Sequence, residues 1–393
     1  MSSDLAGRVS GLLGLPFIPG NRVTLLKNGD AIFPKMLEAI RAAERHIEFC
    51  TFVYWTGPIA TEVAMALRER AQSGVRVRVL LDGFGANKMR RRLVRKMRDA
   101  GVEVRWFRPL LSWRFWQIDN RTHRKILVCD GRVAFTGGVG VAEEWQGDAR
   151  NPSEWRDTHF RIEGPAVVSI QAGFWNNWLE ASGGLAADTL PVNPEVSRDI
   201  ARPDDVPKVG GTRLLVMRSN ATTRWSDVAS LMSLFMADAE KKIVISTAYF
   251  APAEATANAL ARAIRRGVDV EIMFPGQHAD KRLSHLASGW EIERLLDAGA
   301  KLWRYERTMY HVKSMIVDDE LALVGSANFN HRSWMKDDEL CAVTDDADLI
   351  AQLRRDFDDD CRHATLMDRD CHAARSAGRR ITESLARIIR VQT

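Results

Sequence analysis

The chain runs to 393 residues, which at about 150 residues per domain suggests two to three domains. Hydrophobic residues make up 46% and charged residues 27%, a composition that excludes a disordered, collagen-like or low-complexity chain. Lys and Arg number 56 against 51 acidic residues, and the resulting net charge of +5 is too mild to indicate a nucleic-acid binder by itself.

In chain order, the opening stretch MSSDLAGRVSGLLGLPFIPG has neither the basic start nor the long apolar core of a secretory leader. No window approaches the about 18 apolar residues that a membrane span requires. Residues 32–45 have helical spacing, 46–54 read as a buried strand, 59–72 as a helix and 75–81 as a strand. A basic helix follows over 88–100, then the short strand VEVRWF. The second part repeats this order: helix 226–240, strand 242–247, helix 255–266, strand 268–274, helix 285–298 and strand AKLWRY. Even the wording recurs, SGVRVRVLLDG against RGVDVEIMFPG. Strands alternating with helices predict an α/β fold of two repeated halves, each a mixed β-sheet flanked by helices. Residues 181–211 are rich in Pro, Gly and Asp without periodicity and read as a linker. The expected division is 1–204 for the first half with its linker, 205–365 for the second, and 366–393 for a basic amphipathic tail.

The chemistry lies in two segments, THRKILVCDGRVAFTGG at 122–138 and YHVKSMIVDDELALVGS at 310–326. Both carry His-x-Lys-x-x-x-x-Asp: His123, Lys125 and Asp130, then His311, Lys313 and Asp318. A small pair follows in each, Gly137-Gly138 and Gly325-Ser326. Side chains two apart on a strand share a face, so each segment presents an imidazole beside a fixed positive charge. Two such strands related by a pseudo-twofold would converge on one site. For a phosphodiester this set is chemically sufficient: one imidazole attacks phosphorus, the other protonates the leaving oxygen, and both ammonium groups neutralise the phosphoryl oxygens. Such a site needs no metal and no cofactor. A nucleophilic His also needs its second ring nitrogen held by an acceptor. Counting along the repeat supplies Asp157 and Glu339, each ahead of a predicted strand and each followed eighteen residues later by an aromatic, Trp175 or Phe357. The alternative for Asp157 is a simple pairing with Arg156.

The doubled motif, the Gly325-Ser326 pair and the tail SANFNHRSW resemble the phospholipase D superfamily. Within it, LLKNGD, WRDTHFRIEGPAV and VGSANFNHRS are similar to bacterial cardiolipin synthases of the type lacking N-terminal membrane spans. The resemblance covers roughly residues 20–365. It implies one active site between two α/β halves and a covalent phosphohistidine, with His123 the nucleophile and His311 the acid. Asp130 and Asp318 are then structural, and Gly138, Ser326 and Asn328 bind substrate at its phosphoryl oxygens. The sequence departs from the family pattern at Gly140, where an Asn matching Asn328 is expected, and at Asn330 and Asp337, where Asp and Asn are usual. These departures predict an altered headgroup or acceptor preference.

The implied partners are a phospholipid substrate and an anionic membrane surface, with no nucleic acid, and the implied location is peripheral, on the cytoplasmic side of the cell membrane. The basic run MRRRLVRKMR at 89–98, the aromatic segment LLSWRFWQIDNR at 110–121 and the amphipathic stretch 373–391 are candidate lipid contacts. Their bland alternatives are a solvated helix face, packing on the second half and a docked helix. Two other enzymes fit the same motifs: a phospholipase D that lets water resolve the intermediate, and a nuclease tracking a backbone with Arg90, Arg91, Arg92, Arg95 and Lys96. A non-catalytic membrane-binding protein is the remaining rival. The five Cys form no CxxC pair, and Cys129 and Cys341 read as small buried hydrophobes.

Overall fold

The computed structural model describes residues 4–109, 120–182, 194–220, 226–280 and 289–369. Seven strands make up the first half: β1 (Ile18–Lys27), β2 (His46–Thr51), β3 (Arg76–Asp82), β4 (Glu103–Phe107), β5 (Ile126–Cys129), β6 (Val133–Gly137) and β7 (Thr158–Glu163). The second half follows with β8 (Thr212–Ser219), β9 (Lys242–Ser246), β10 (Asp269–Pro275), β11 (Lys301–Tyr305), β12 (Ser314–Val317), β13 (Leu321–Gly325), β14 (Glu339–Thr344) and the short β15 (Ala364–Leu366). Across the sheet the first half is ordered β1-β7-β6-β5-β2-β3-β4 and the second β8-β14-β13-β12-β9-β10-β11, with β15 added at the edge. The two orders are the same strand for strand. In both, the β2–β3–β4 and β9–β10–β11 runs are parallel and the motif strands join antiparallel. This is the predicted α/β repeat, with one difference: β1 and β8 pair antiparallel and fuse the half-sheets into one.

A strand buried at every position must be covered on both faces, and β2 is such a strand, with His46 and Glu48 paired to each other inside it. One buried cluster lies mostly within the first half and a second mostly within the other. A third draws on both, from Phe160 and Trp178 to Leu340 and Phe357, and bonds the halves face to face. Trp175 also lies in this shared core, so the two aromatics that mark the repeat are packing residues and take no part in the site.

Packing does not follow the division near residue 204. The helix Leu5–Leu13, capped by Asp4, whose carboxylate accepts from Gly7 N at 2.9 Å, buries Leu5 and Val9 in the core of the second half. The linker is also partly docked. Its helix Pro194–Asp199 ends on a buried carboxylate that receives Arg78 of β3 at 2.6 Å, while Gln171 donates to the Asp199 carbonyl at 2.8 Å. Residues 110–119 of the aromatic segment, the middle of the linker and the 373–391 stretch lie outside the described residues. No helix among the described residues is long and apolar enough to cross a membrane.

Candidate active site

Each motif straddles a four-residue strand, with His and Lys before it and Asp after it. Asp130 takes φ +56°, and its carboxylate accepts the backbone N–H of Glu44, Arg45 and His46 at 2.9, 2.8 and 3.0 Å. Asp318 takes φ +55° and receives Glu240, Lys241 and Lys242 at 2.8, 2.7 and 2.7 Å. Burial works to raise the Asp130 carboxyl, and the three N–H donors outweigh it, leaving the group below the usual carboxylate range. Both Asp side chains therefore tie the motif strand to the start of its neighbour, at the end remote from the imidazoles.

At the other end the halves interlock through backbone bonds. Thr122 bridges Asp338, and His123 N donates to Asp338 O at 2.9 Å. In the mirror position Arg156 bridges Tyr310, and His311 N donates to Arg156 O at 2.8 Å. The residue after each bridge carries the orienting carboxylate, so the pairing is crossed. His123 Nδ1 meets Glu339 of the second half at 3.1 Å, and His311 Nδ1 meets Asp157 of the first at 2.7 Å. Arg156 itself pairs with Asp360 at 3.0 Å through both oxygens, which removes the alternative of an Asp157–Arg156 pair. With Nδ1–H given to a carboxylate, the lone pair of Nε2 is the one left for chemistry.

Burial pulls His123 down to about 4, opposed by Glu339 and reinforced by Lys125. Burial, and then Lys313, pull His311 down to about 3 against Asp157. Both imidazoles are thus neutral at neutral pH, facing carboxylates that burial raises but the partner imidazoles hold below their ordinary range. Burial likewise lowers Lys125 to about 8 and Lys313 to about 7. Each ammonium donates to the carbonyl of its own His, at 2.7 and 2.6 Å. Lys313 also stands 3.0 Å from His311 Nδ1; one nitrogen cannot both donate to Asp157 and accept from Lys313, and the shorter contact takes the proton. Lys125 lines the cleft, and Lys313 stands at the Nδ1 edge of His311.

The surroundings of the carboxylates fix what Ser326 and Gly138 touch within the protein. Ser326 Oγ and Ser333 Oγ both donate to Glu339, and Ser326 is fully buried. Its hydroxyl is engaged by the carboxylate. At Gly138 a Cβ would fall 2.1 Å from Asp157 Oδ1, so this glycine makes room for the carboxylate. Asn328 does line the cleft, with its side-chain oxygen free of a protein partner.

Sequence reasoning missed Ser333 and Trp145. Trp145 Nε1 donates to Asp157 Oδ2 at 2.9 Å, as Ser333 donates to Glu339. Both stand eight residues after the first small residue of their motif, Gly137 and Gly325, so extending the repeat alignment finds them. Trp145 also explains Gly140: a Cβ there would lie 2.7 Å from Val53 and 3.2 Å from the indole ring, which leaves no room for an Asn.

Both His face a cleft of about 230 Å³ lined by Phe52, Trp55, Phe84, Trp145, Trp155 and Tyr249, with Lys88, Lys125 and Arg332 as its cations. The basic run forms the helix Arg91–Arg98, which buries Leu93, Val94 and Met97 and leaves its Arg and Lys side chains exposed just beyond the cleft residues Phe84 and Lys88. Cys50, Cys129 and Cys341 are buried and free, and burial pushes Cys50 and Cys341 up to about 12. Among the described residues no group of three or more His, Cys, Asp or Glu is placed to hold a metal ion.

Comparison with known proteins agrees with this geometry. The family described as cardiolipin synthase, PLD-like domain, matches residues 36–145 and 233–361. Cardiolipin synthase 1 of Bacillus anthracis is 35% identical over 96% of this chain and 73% of its own length. The cardiolipin synthase of Geobacillus kaustophilus is 32% identical over 95% of this chain and 73% of its own. In fold, the crystal structure of phosphatidylserine synthase from Haemophilus influenzae Rd KW20 superposes over 100% of both chains with a TM-score of 0.74 at 17% identity.

Proposed function

The chain belongs to the PLD-like cardiolipin synthase family and is a phosphatidyltransferase of the phospholipase D superfamily, and from that premise we propose that it makes a cardiolipin-like lipid from phosphatidylglycerol-type phospholipids through a phosphohistidine. The observation that carries the reading is the crossed arrangement: two neutral imidazoles in one cleft, each with Nδ1 held by a carboxylate of the other half.

In the first step His123 Nε2 attacks phosphorus, the bond from phosphorus to the glycerol headgroup oxygen breaks, and that oxygen takes a proton from His311. The anionic phosphodiester raises the proton affinity of His311 on binding, because a nearby negative charge favours the imidazolium. In the second step a glycerol hydroxyl on another lipid gives its proton back to His311 and its oxygen attacks phosphorus. The phosphorus–nitrogen bond then breaks and His123 is restored. Lys125 and Asn328 support the phosphoryl oxygens from the cleft wall; removing one such donor costs about 3 kcal/mol in the barrier. Lys313 acts through His311.

The aromatic lining keeps water scarce around the intermediate, which favours transfer over hydrolysis. The exposed Arg90, Arg91 and Arg92, next to the half-exposed Phe84 at the cleft mouth, suit a peripheral seat on an anionic membrane at about 1 kcal/mol per basic residue. The decisive experiment is product analysis with liposomes of phosphatidylglycerol, EDTA present, and His123→Ala as control. A four-chain diphosphatidyl product with free glycerol is expected; phosphatidic acid alone would make the protein a hydrolase, and no lipid product would turn attention to nucleic-acid substrates.

A further inference from the structure

Three acidic residues run in succession where the second half meets His123, and their fates differ. Glu339 is fully engaged by His123, Ser326 and Ser333. Asp338 binds the first half through its backbone and accepts Asn177 Nδ2 at 2.5 Å. Asp337 is buried, lines the cleft, pairs through Oδ2 with Arg332 Nε at 3.3 Å, and leaves Oδ1 with no hydrogen-bond partner among the described residues. Asp337 lies in the bend just before the strand that carries Glu339, and it lines the same cleft as His123. The other acid lining the cleft, Asp280, is exposed and takes the Tyr249 hydroxyl at 2.7 Å.

A buried carboxyl with an unused oxygen is costly, and neither the interlock of the halves nor the orientation of His123 needs this one. Burial pushes Asp337 up to about 7, with Arg332 opposing. A group so poised meets a neutral hydroxyl well in either protonation state. An ammonium is a poorer match, because Lys88, Lys125 and Arg332 already line the same cleft.

We propose that Asp337 selects the acceptor: its carboxyl receives a hydrogen bond from one hydroxyl of a polyol while the neighbouring hydroxyl attacks phosphorus. This rests on the transferase reading and names its acceptor class. The attacking hydroxyl still delivers its proton to His311 and displaces His123, so the bookkeeping of the second step is unchanged. What changes is that a glycerol-type acceptor is preferred to water or to an alcohol with a single hydroxyl.

The test uses vesicles containing a diacyl phosphatidyl ester of p-nitrophenol, whose release needs no headgroup recognition, with equal concentrations of glycerol and 1-propanol as competing acceptors. Because both alcohols compete for the same enzyme molecules, the product ratio does not depend on how much of a variant folds. Wild type is expected to favour phosphatidylglycerol over phosphatidylpropanol. Asp337→Ala should lower that ratio about tenfold while nitrophenol release continues. Asp337→Asn, which keeps an accepting oxygen but loses the ion pair with Arg332, should retain most of it.

An unchanged ratio in Asp337→Ala overturns the proposal, as does an equal fall in both variants, which would assign the effect to the ion pair. Loss of nitrophenol release from both variants would place Asp337 in the first step and overturn it too. A wild type that transfers without favouring glycerol sinks this inference alone. A wild type yielding only phosphatidic acid sinks the transferase reading with it.

Discussion

The two sides of the active site are built on one plan and finished differently. On the His123 side, the orienting Glu339 is satisfied by hydroxyls, Ser326 and Ser333, and the imidazole meets Phe52 edge-on at 5.2 Å. Around His311, the orienting Asp157 is satisfied by the Trp145 indole and by Thr158 N, and the imidazole is walled by Trp145 at 5.1 Å and Trp155 at 5.4 Å. The repeat-equivalent positions Ser333 and Trp145 thus do the same job with side chains of very different bulk, and Gly140 is what the indole displaces. A duplicated fold can keep its hydrogen-bond logic while the shape and polarity around each copy diverge.

That asymmetry can be broken first at the imidazoles. His123→Ala should abolish turnover by on the order of 10⁴-fold or more on every donor. His311→Ala should lose about 10²–10⁴-fold on glycerol-type donors yet keep formation of the phosphatidyl-enzyme when the leaving group is p-nitrophenol, which needs no proton. A burst of nitrophenol from the His123 variant in place of the His311 variant would exchange the roles. Next come the carboxylates: Glu339→Gln and Asp157→Asn keep shape but lose the charge that fixes the imidazole tautomer, and each should cost about 10³-fold in kcat with little change in the amount of folded protein. A loss confined to one of them would show that only one imidazole needs orienting.

The lysines give a pH signature. His123 attacks as the neutral imidazole, so the limb it sets in kcat/KM should fall only as pH drops toward about 4, whereas His311 acts charged in the first step and takes up its proton with the anionic substrate. The ammonium groups are competent when charged, and with Lys313 near 7 and Lys125 near 8 the alkaline limb should set in at the lower of those values. Lys313→Arg, whose side chain stays charged throughout this range, should move that limb upward; an unmoved limb would leave Lys125 as the group that sets it. The smallest effect concerns shape. Gly140→Asn, which makes the halves more alike in sequence, should destabilise the fold by about 1–3 kcal/mol through its clash with Val53 and Trp145, seen as a lower Tm.

Much of this was legible in the sequence. Period-two and period-3.6 patterning located β2, β3, β4, β9, β10 and β11 with the helices between them, but not β1 and β8, which join the half-sheets; the register of the two motifs brought His123, His311, Asp157 and Glu339 together. Their crossing was not legible, because which carboxylate reaches which imidazole is decided by backbone bridges between segments more than 150 residues apart in sequence. The contacts of Gly138 and Ser326 with the orienting carboxylates were not legible either, because Asp157 and Glu339 reach these small residues only through the folded sheet. The helix Leu5–Leu13 carries an amphipathic pattern that says it packs, and nothing in that pattern says on which half. Asp337 could be picked out as a departure from the family pattern, and only its burial shows it to be an unspent group.

The crossed pairing has a consequence for how the catalyst comes into being. Each half contributes one imidazole and the acceptor that orients the other, so neither holds a working pair by itself. A half that has folded but not yet docked has a loose imidazole and an idle carboxylate, and reactive phosphorus chemistry waits on assembly. The interlock at Thr122–Asp338 and Arg156–Tyr310 therefore acts as a checkpoint: the same bonds that report a finished molecule switch its two imidazoles on together.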